Sequence, residues 1–116
     1  MADRLLSQGD IETEIMRLSE DLESETYRYA DIADLAATSE ADYKLSAARL
    51  MVALVSSPGK MTAQERQARV DAESDGPYRV WKINEARRQA SKEALLSLRA
   101  RLDSLRTLSA NIRNQT

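Results

Sequence analysis

The 116-residue chain has no cysteine, no histidine and no phenylalanine. Without cysteine there are no disulfides, no thiol nucleophiles and no thiolate zinc ligands. Without histidine there is no imidazole base and no Ser-His-Asp triad. A metal site built only from carboxylates survives this exclusion, whereas a Glu-x-x-His motif does not. The lack of cysteine fits a cytoplasm without requiring it. Glycine (3) and proline (2) are scarce, and the aromatics are one Trp and four Tyr. So few chain breakers and aromatics disfavour a β architecture and favour long helices. No apolar run approaches the roughly 20 residues that span a bilayer. The apolar stretch that follows Met1-Ala2-Asp3-Arg4 is too short for a signal peptide. A protein outside the membrane, in the cytoplasm, is therefore expected.

What is present is charge, divided along the chain. Residues 1–42 carry twelve acids and three bases, net −9; residues 43–77 are net +1; residues 78–116 carry nine bases and three acids, net +6. The acidic first part and the basic last part can neutralise each other, within a helical hairpin or between subunits. Alternatively, the basic part stays free to meet an anion, most plausibly nucleic acid. At 42% hydrophobic and 31% charged residues, the chain has the composition of a folded domain. Residues 1–116 are expected to form a single helical domain, with 1–9 a flexible N-terminus.

Neither Gly nor Pro occurs between Asp10 and Ser57. Asp10 is the expected N-cap, with Glu12 and Glu14 at the positive end of the helix dipole. Ile11, Ile15, Leu18, Leu22, Tyr29, Ile32, Ala36, Tyr43, Leu50 and Ala53 recur at alternating spacings of three and four, a heptad seam. Glu25, Ser39 and Ser46 fall on the same seam and weaken it. The Thr38-Ser39 pair allows either one continuous helix or two collinear pieces. Ser56-Ser57-Pro58-Gly59-Lys60 predicts a first turn. Thr62-Ala63-Gln64-Glu65 then predicts a capping box opening a short helix from Ala63 to about Glu73. Ser74-Asp75-Gly76-Pro77 predicts a second turn. A final helix follows with two stripes: Leu95, Leu98, Leu102, Leu105 and Ile112, preceded by a slimmer one of Trp81, Ile83, Ala86, Ala90 and Ala94.

Helices over these spans are about 69 Å and about 55 Å long, whereas a compact domain of this size has a radius of gyration of about 13 Å. The expected fold is all-α: an elongated helical hairpin or coiled-coil-like bundle with two long helices and a short middle helix. Rods of this length pack along each other or against copies of themselves. A homo-oligomer is therefore expected, with Leu18, Leu22, Ile32, Trp81, Leu98, Leu102 and Leu105 at its interface.

No catalytic residue, metal site or cofactor site emerges. Glu20 with Glu23, and Asp31 with Asp34, are carboxylate pairs of the sort any acidic helix contains. Ser57-Pro58-Gly59-Lys60-Met61-Thr62 has a Gly-Lys pair without the Walker spacing. Lys44, Arg49, Lys60, Arg66 and Arg69 flank the first turn and form the candidate basic patch, which a ring of subunits would multiply into a continuous surface. Trp81 and the tyrosines Tyr27, Tyr29, Tyr43 and Tyr78 are either packing residues or platforms for unpaired bases.

The order of an acidic helix, the stretch Asp42-Tyr43-Lys44-Leu45-Ser46-Ala47-Ala48-Arg49-Leu50, a turn, Thr62 to Ala68, and a long last helix ending Ser97 to Arg113 resembles small all-helical phage proteins similar to the UvsY-type recombination mediators. The resemblance covers residues 11 to 113 and rests on element order and scattered residues. It implies a homo-oligomeric ring that binds single-stranded DNA and helps load a strand-exchange recombinase onto strands coated by single-strand-binding protein, in the host cytoplasm. The basic positions of that family's DNA-binding stretch fall on Lys44 and Arg49. Ser46 and Ala48 depart from the more basic pattern. The alternative expectation is a structural or adaptor coiled-coil protein, a virion component or helical partner, that does not bind nucleic acid.

Overall fold

Helix α1 spans Gln8–Ser56, α2 Ala63–Glu73 and α3 Asp75–Asn114 in the computed structural model, which describes residues 7–115. The fold is all-α, with two long helices and a short one between them. Residues 1–6 of the expected flexible N-terminus, and Thr116, lie outside the described residues.

The start of α1 differs from expectation. Ser7, not Asp10, is the cap: the Ser7 hydroxyl accepts from the Asp10 amide at 3.0 Å, and an Asp10 carboxylate oxygen accepts from the Ser7 amide at 3.2 Å. This reciprocal pair satisfies two end-of-helix donors at once, which Asp10 as a lone cap cannot do. It draws Gln8 and Gly9 into the helix. At Thr38-Ser39 the helix runs on. The Ser39 hydroxyl donates to the Leu35 carbonyl at 2.7 Å, a bond one turn back along its own helix rather than a cap on a new one.

Helix α1 ends where Pro58 forbids its continuation. The Ser57 hydroxyl donates to the Ala53 carbonyl at 2.8 Å, and Gly59 takes φ +119°, a conformation that favours glycine. The Thr62 hydroxyl accepts from the Glu65 amide at 3.1 Å, capping α2 as predicted. The second expected turn is a correction. The Ser74 amide donates to the Val70 carbonyl at 2.9 Å and the Tyr78 amide to the Ser74 carbonyl at 3.1 Å. The helical ladder therefore bridges Ser74 instead of reversing there. Pro77 lies in the first turn of α3, where a missing N–H is tolerated.

The chain divides into two compact units. The first comprises Met1–Ala30 and Ala90–Thr116. Among its described residues, Ile11 and Leu18 from α1 and Leu95 and Leu102 from α3 form the buried apolar core. Gln8 donates to the buried Ser109 hydroxyl at 2.7 Å, while Glu14 and Leu18 line one pocket with Ala100, Arg101, Ser104 and Leu105. Numbers rise on one helix as they fall on the other, so the two segments run antiparallel. The Arg17 guanidinium, hydrogen-bonded to Glu14, holds that carboxyl below the usual carboxylate range, and Arg101 across the pair adds to the effect. The acidic and basic ends thus neutralise each other here in part.

The second unit is Asp31–Gln89. Ala36 and Ser39 of α1, Val70 of α2, Ser74 at the junction and Asn84 of α3 are buried in it. The Asn84 side-chain amide donates to the Ser39 hydroxyl at 2.6 Å. Residues expected on the seam shift in two places. On α1, Ser46 and Ala53 are exposed while Ala47 and Leu54 are half-buried, because a 3.6-residue period drifts against a strict heptad. On α3, the slim stripe is wrong apart from Trp81: Ile83 is 53% exposed, and Ala86, Ala90 and Ala94 are exposed too. The inward face instead follows Trp81, Asn84, Arg88, Ser91 and Leu95. Its polar members hid it from an apolar count.

Leu18 and Leu102, expected at a subunit interface, are buried inside the chain's own first unit. Leu22, Ile32, Trp81, Leu98 and Leu105 are half-buried. No helix is long and apolar enough to cross a membrane among the described residues. Leu102→Ala is expected to cost about 2–5 kcal/mol in urea unfolding. Ser91→Ala, which removes a buried hydroxyl with no hydrogen-bond partner, is expected to leave stability unchanged or raise it.

Candidate functional site

The antiparallel register of the second unit brings three aromatic rings together. Tyr43 of α1 stacks on Trp81 of α3 with centroids 5.4 Å apart and planes at 21°. Tyr78, one turn before Trp81, meets Tyr43 edge-on at 5.4 Å and Trp81 at 5.9 Å. Tyr43 and Trp81 are half-buried and Tyr78 is exposed. The cluster is thus part of the packing and part of the surface, with Tyr78 its most open ring.

Two cations attend it. The Lys82 ammonium lies 4.1 Å from the centre of the Trp81 ring and 5.5 Å from that of Tyr78. The Lys44 ammonium lies 5.8 Å from Trp81 and pairs with Glu40 at 2.7 Å. Both contacts are cation–π in kind. Lys82 also acts on Glu85, whose carboxyl the hydrogen-bonded Arg88 guanidinium pulls below its ordinary range, with a smaller pull from Lys82. Asp71 and Asp75 share a pocket with Tyr43 and Tyr78. An anion is repelled from that edge and drawn to the lysine edge.

The five cations read from the sequence divide in four ways. Lys44 stands at the aromatic cluster. Lys60 and Arg66 line one pocket at the first turn with Leu54, Val55, Gly59, Met61 and Thr62, and the half-buried Arg66 donates to the Met61 carbonyl at 2.6 Å. Arg69 pairs with Glu73 at 3.0 Å along α2. Arg49 is exposed and makes no ion pair among the described residues. Of the five, Lys60 and Arg66 are the pair that line one pocket together.

No protein family, no characterised protein and no solved structure matches this chain. Lys82 lies outside the basic patch expected from Lys44, Arg49, Lys60, Arg66 and Arg69, although Tyr78, Trp81 and Lys82 fall within about one helical turn of each other. Only the pairing of α1 with α3 could add Tyr43-Lys44 to them. Among the described residues, no three carboxylates converge to hold a metal ion.

Removing the stacked ring tests the cluster. Tyr43→Ala is expected to lower the unfolding free energy by about 1–3 kcal/mol. It is also expected to shift the emission of Trp81, the sole tryptophan, toward the red as its face is uncovered. Urea titration followed by fluorescence measures both.

Proposed function

We propose that this chain is a non-catalytic, homo-oligomeric accessory protein that captures single-stranded DNA in the cytoplasm and presents it to a recombinase. The observation that carries the proposal is the Tyr43–Tyr78–Trp81 cluster with Lys44 and Lys82 beside it. Unpaired bases stack on aromatic faces at about 1–3 kcal/mol per base, and lysines at the edge neutralise the adjoining phosphates. A surface combining both is suited to single strands, whose bases are free to stack, rather than to duplex. Lys60 and Arg66 supply further positive charge in the same unit.

The recombinase and a single-strand-binding protein enter as partners through the resemblance to UvsY-type mediators. The net charge of −2 makes non-specific attraction to DNA weak, so affinity has to come from the local cluster. The rival reading, a structural or adaptor protein, is favoured by the exposed apolar side chains of α1, among them Leu45, Val52 and Val55.

Titration with an oligothymidylate is expected to quench Trp81 fluorescence and raise the anisotropy of a labelled strand, with affinity falling steeply between about 50 and about 200 mM salt. Lys44→Glu with Lys82→Glu is expected to weaken binding by about tenfold or more and to flatten the salt slope by about two phosphates. An absence of binding at the lower salt, or binding indifferent to salt, would overturn the proposal in favour of the adaptor.

A further inference from the structure

Helix α1 carries a second heptad stripe that nothing within its unit covers. Ala41, Leu45, Ala48, Val52 and Val55 follow at steps of four, three, four and three, and all are exposed. Leu45 is 50% exposed, Val52 66% and Val55 62%. At about 100° per residue, this stripe lies roughly opposite the inward positions Ala36, Ser39, Tyr43, Ala47 and Leu50. An apolar heptad on the water side of a helix already packed on its other side is what a second helix would cover.

The flanking charges identify the occupant. Asp42 and Arg49, seven residues apart, occupy equivalent positions along one edge of the stripe. Three and four residues from Asp42 stand Thr38, Ser39, Leu45 and Ser46; around Arg49 stand Leu45, Ser46, Val52 and Ala53. Neither has an oppositely charged neighbour on its own helix, and neither makes an ion pair among the described residues. Lys44 on the opposite edge, by contrast, is already paired with Glu40.

We propose that a second copy of this chain packs its α1 antiparallel along the stripe about a two-fold axis. Leu45 then faces Ala48 of the second copy, Ala41 faces Val52, and Thr38 faces Val55, with each contact repeated by symmetry. Large side chains meet small ones, which lets the helix axes approach to about 8 Å. In this register Asp42 meets Arg49 of the second copy, and Arg49 meets its Asp42. A parallel pair instead sets Lys44 against Arg49 of the second copy, like against like, so the charges select the antiparallel arrangement. The contact is isologous and closes at two subunits. It supplies the homo-oligomer that the proposed function requires, involves none of the three aromatic rings, and assigns Arg49 to the subunit interface instead of to phosphate.

The full chain without DNA is the test object, so failure here is separable from failure to bind a strand. Sedimentation velocity up to about 1 mM protein is expected to show twice the 13.0 kDa chain mass. Asp42→Arg and Arg49→Asp are each expected to weaken the dimer by about tenfold, and the two together to restore it. Val52→Asp is expected to abolish it with helical content unchanged by circular dichroism. Because the chain has no cysteine, a mixture of Ala41→Cys and Val52→Cys chains reports orientation on oxidation. Disulfides joining unlike chains support the proposal. Disulfides joining like chains, a dimer that survives Val52→Asp, charge swaps that do not compensate, or a monomer throughout would overturn it.

Discussion

One polar contact governs the unit that holds the candidate site. The Asn84 amide reaches the Ser39 hydroxyl at 2.6 Å across a buried seam. Sliding α3 against α1 by a turn would leave the Asn84 amide buried without this partner, while Ser39 keeps its bond to the Leu35 carbonyl, a cost that an apolar residue at 84 would not impose. A seam of alanines and leucines tolerates slippage; a single paired asparagine does not. The register so held places Tyr43 over Trp81 and brings Lys44 to the Trp81 ring. The candidate site is in that sense a by-product of where one amide must sit.

Part of the charge on the chain is consumed locally. Arg17 with Asp21, Arg28 with Glu25, Lys44 with Glu40, Arg69 with Glu73, Arg79 with Asp75, Arg88 with Glu85 and Arg106 with Asp103 each join residues three or four apart on one helix. Exposed pairs of this kind contribute little to stability, typically below about 1 kcal/mol. Their effect is subtractive: they remove cations and anions from the pool able to meet a partner. The charges left over carry the information, and in the second unit Asp42, Arg49 and Lys60 are among them.

Helix α1 therefore has two working faces in the Asp31–Gln89 unit. One face packs within the chain around Ala36 and Ser39. The other, from Ala41 to Val55, is apolar and uncovered. A protein that captures a strand and one that joins helices to copies of itself are not exclusive alternatives when the two surfaces lie on different sides of one helix. Linking two aromatic clusters through a dimer would turn a weak single site into a bivalent one.

Helix content, the turn at Ser57–Lys60 and the Thr62 cap were legible from residues alone, because Pro58, Gly59 and a Thr-x-x-Glu box act within a few positions of themselves. Even at local range some choices escaped. Ser7 displaced Asp10 as the cap because two reciprocal bonds satisfy more donors than one. Ser74–Pro77 did not turn the chain because the helical bonds could bridge it. The aromatic residues were visible as candidates, and Lys44 among the cations, but their assembly was not. Tyr43 and Trp81 are 38 positions apart, and only the pairing of two helices across a seam with Asn84, Arg88 and Ser91 on its inward face brings them into contact. The pattern of residue types thus determined which segments became helices, since helix bonding and capping depend on near neighbours. The tertiary structure alone decided which of the two apolar stripes of α1 was buried, since burial depends on what lies across from a residue, not beside it.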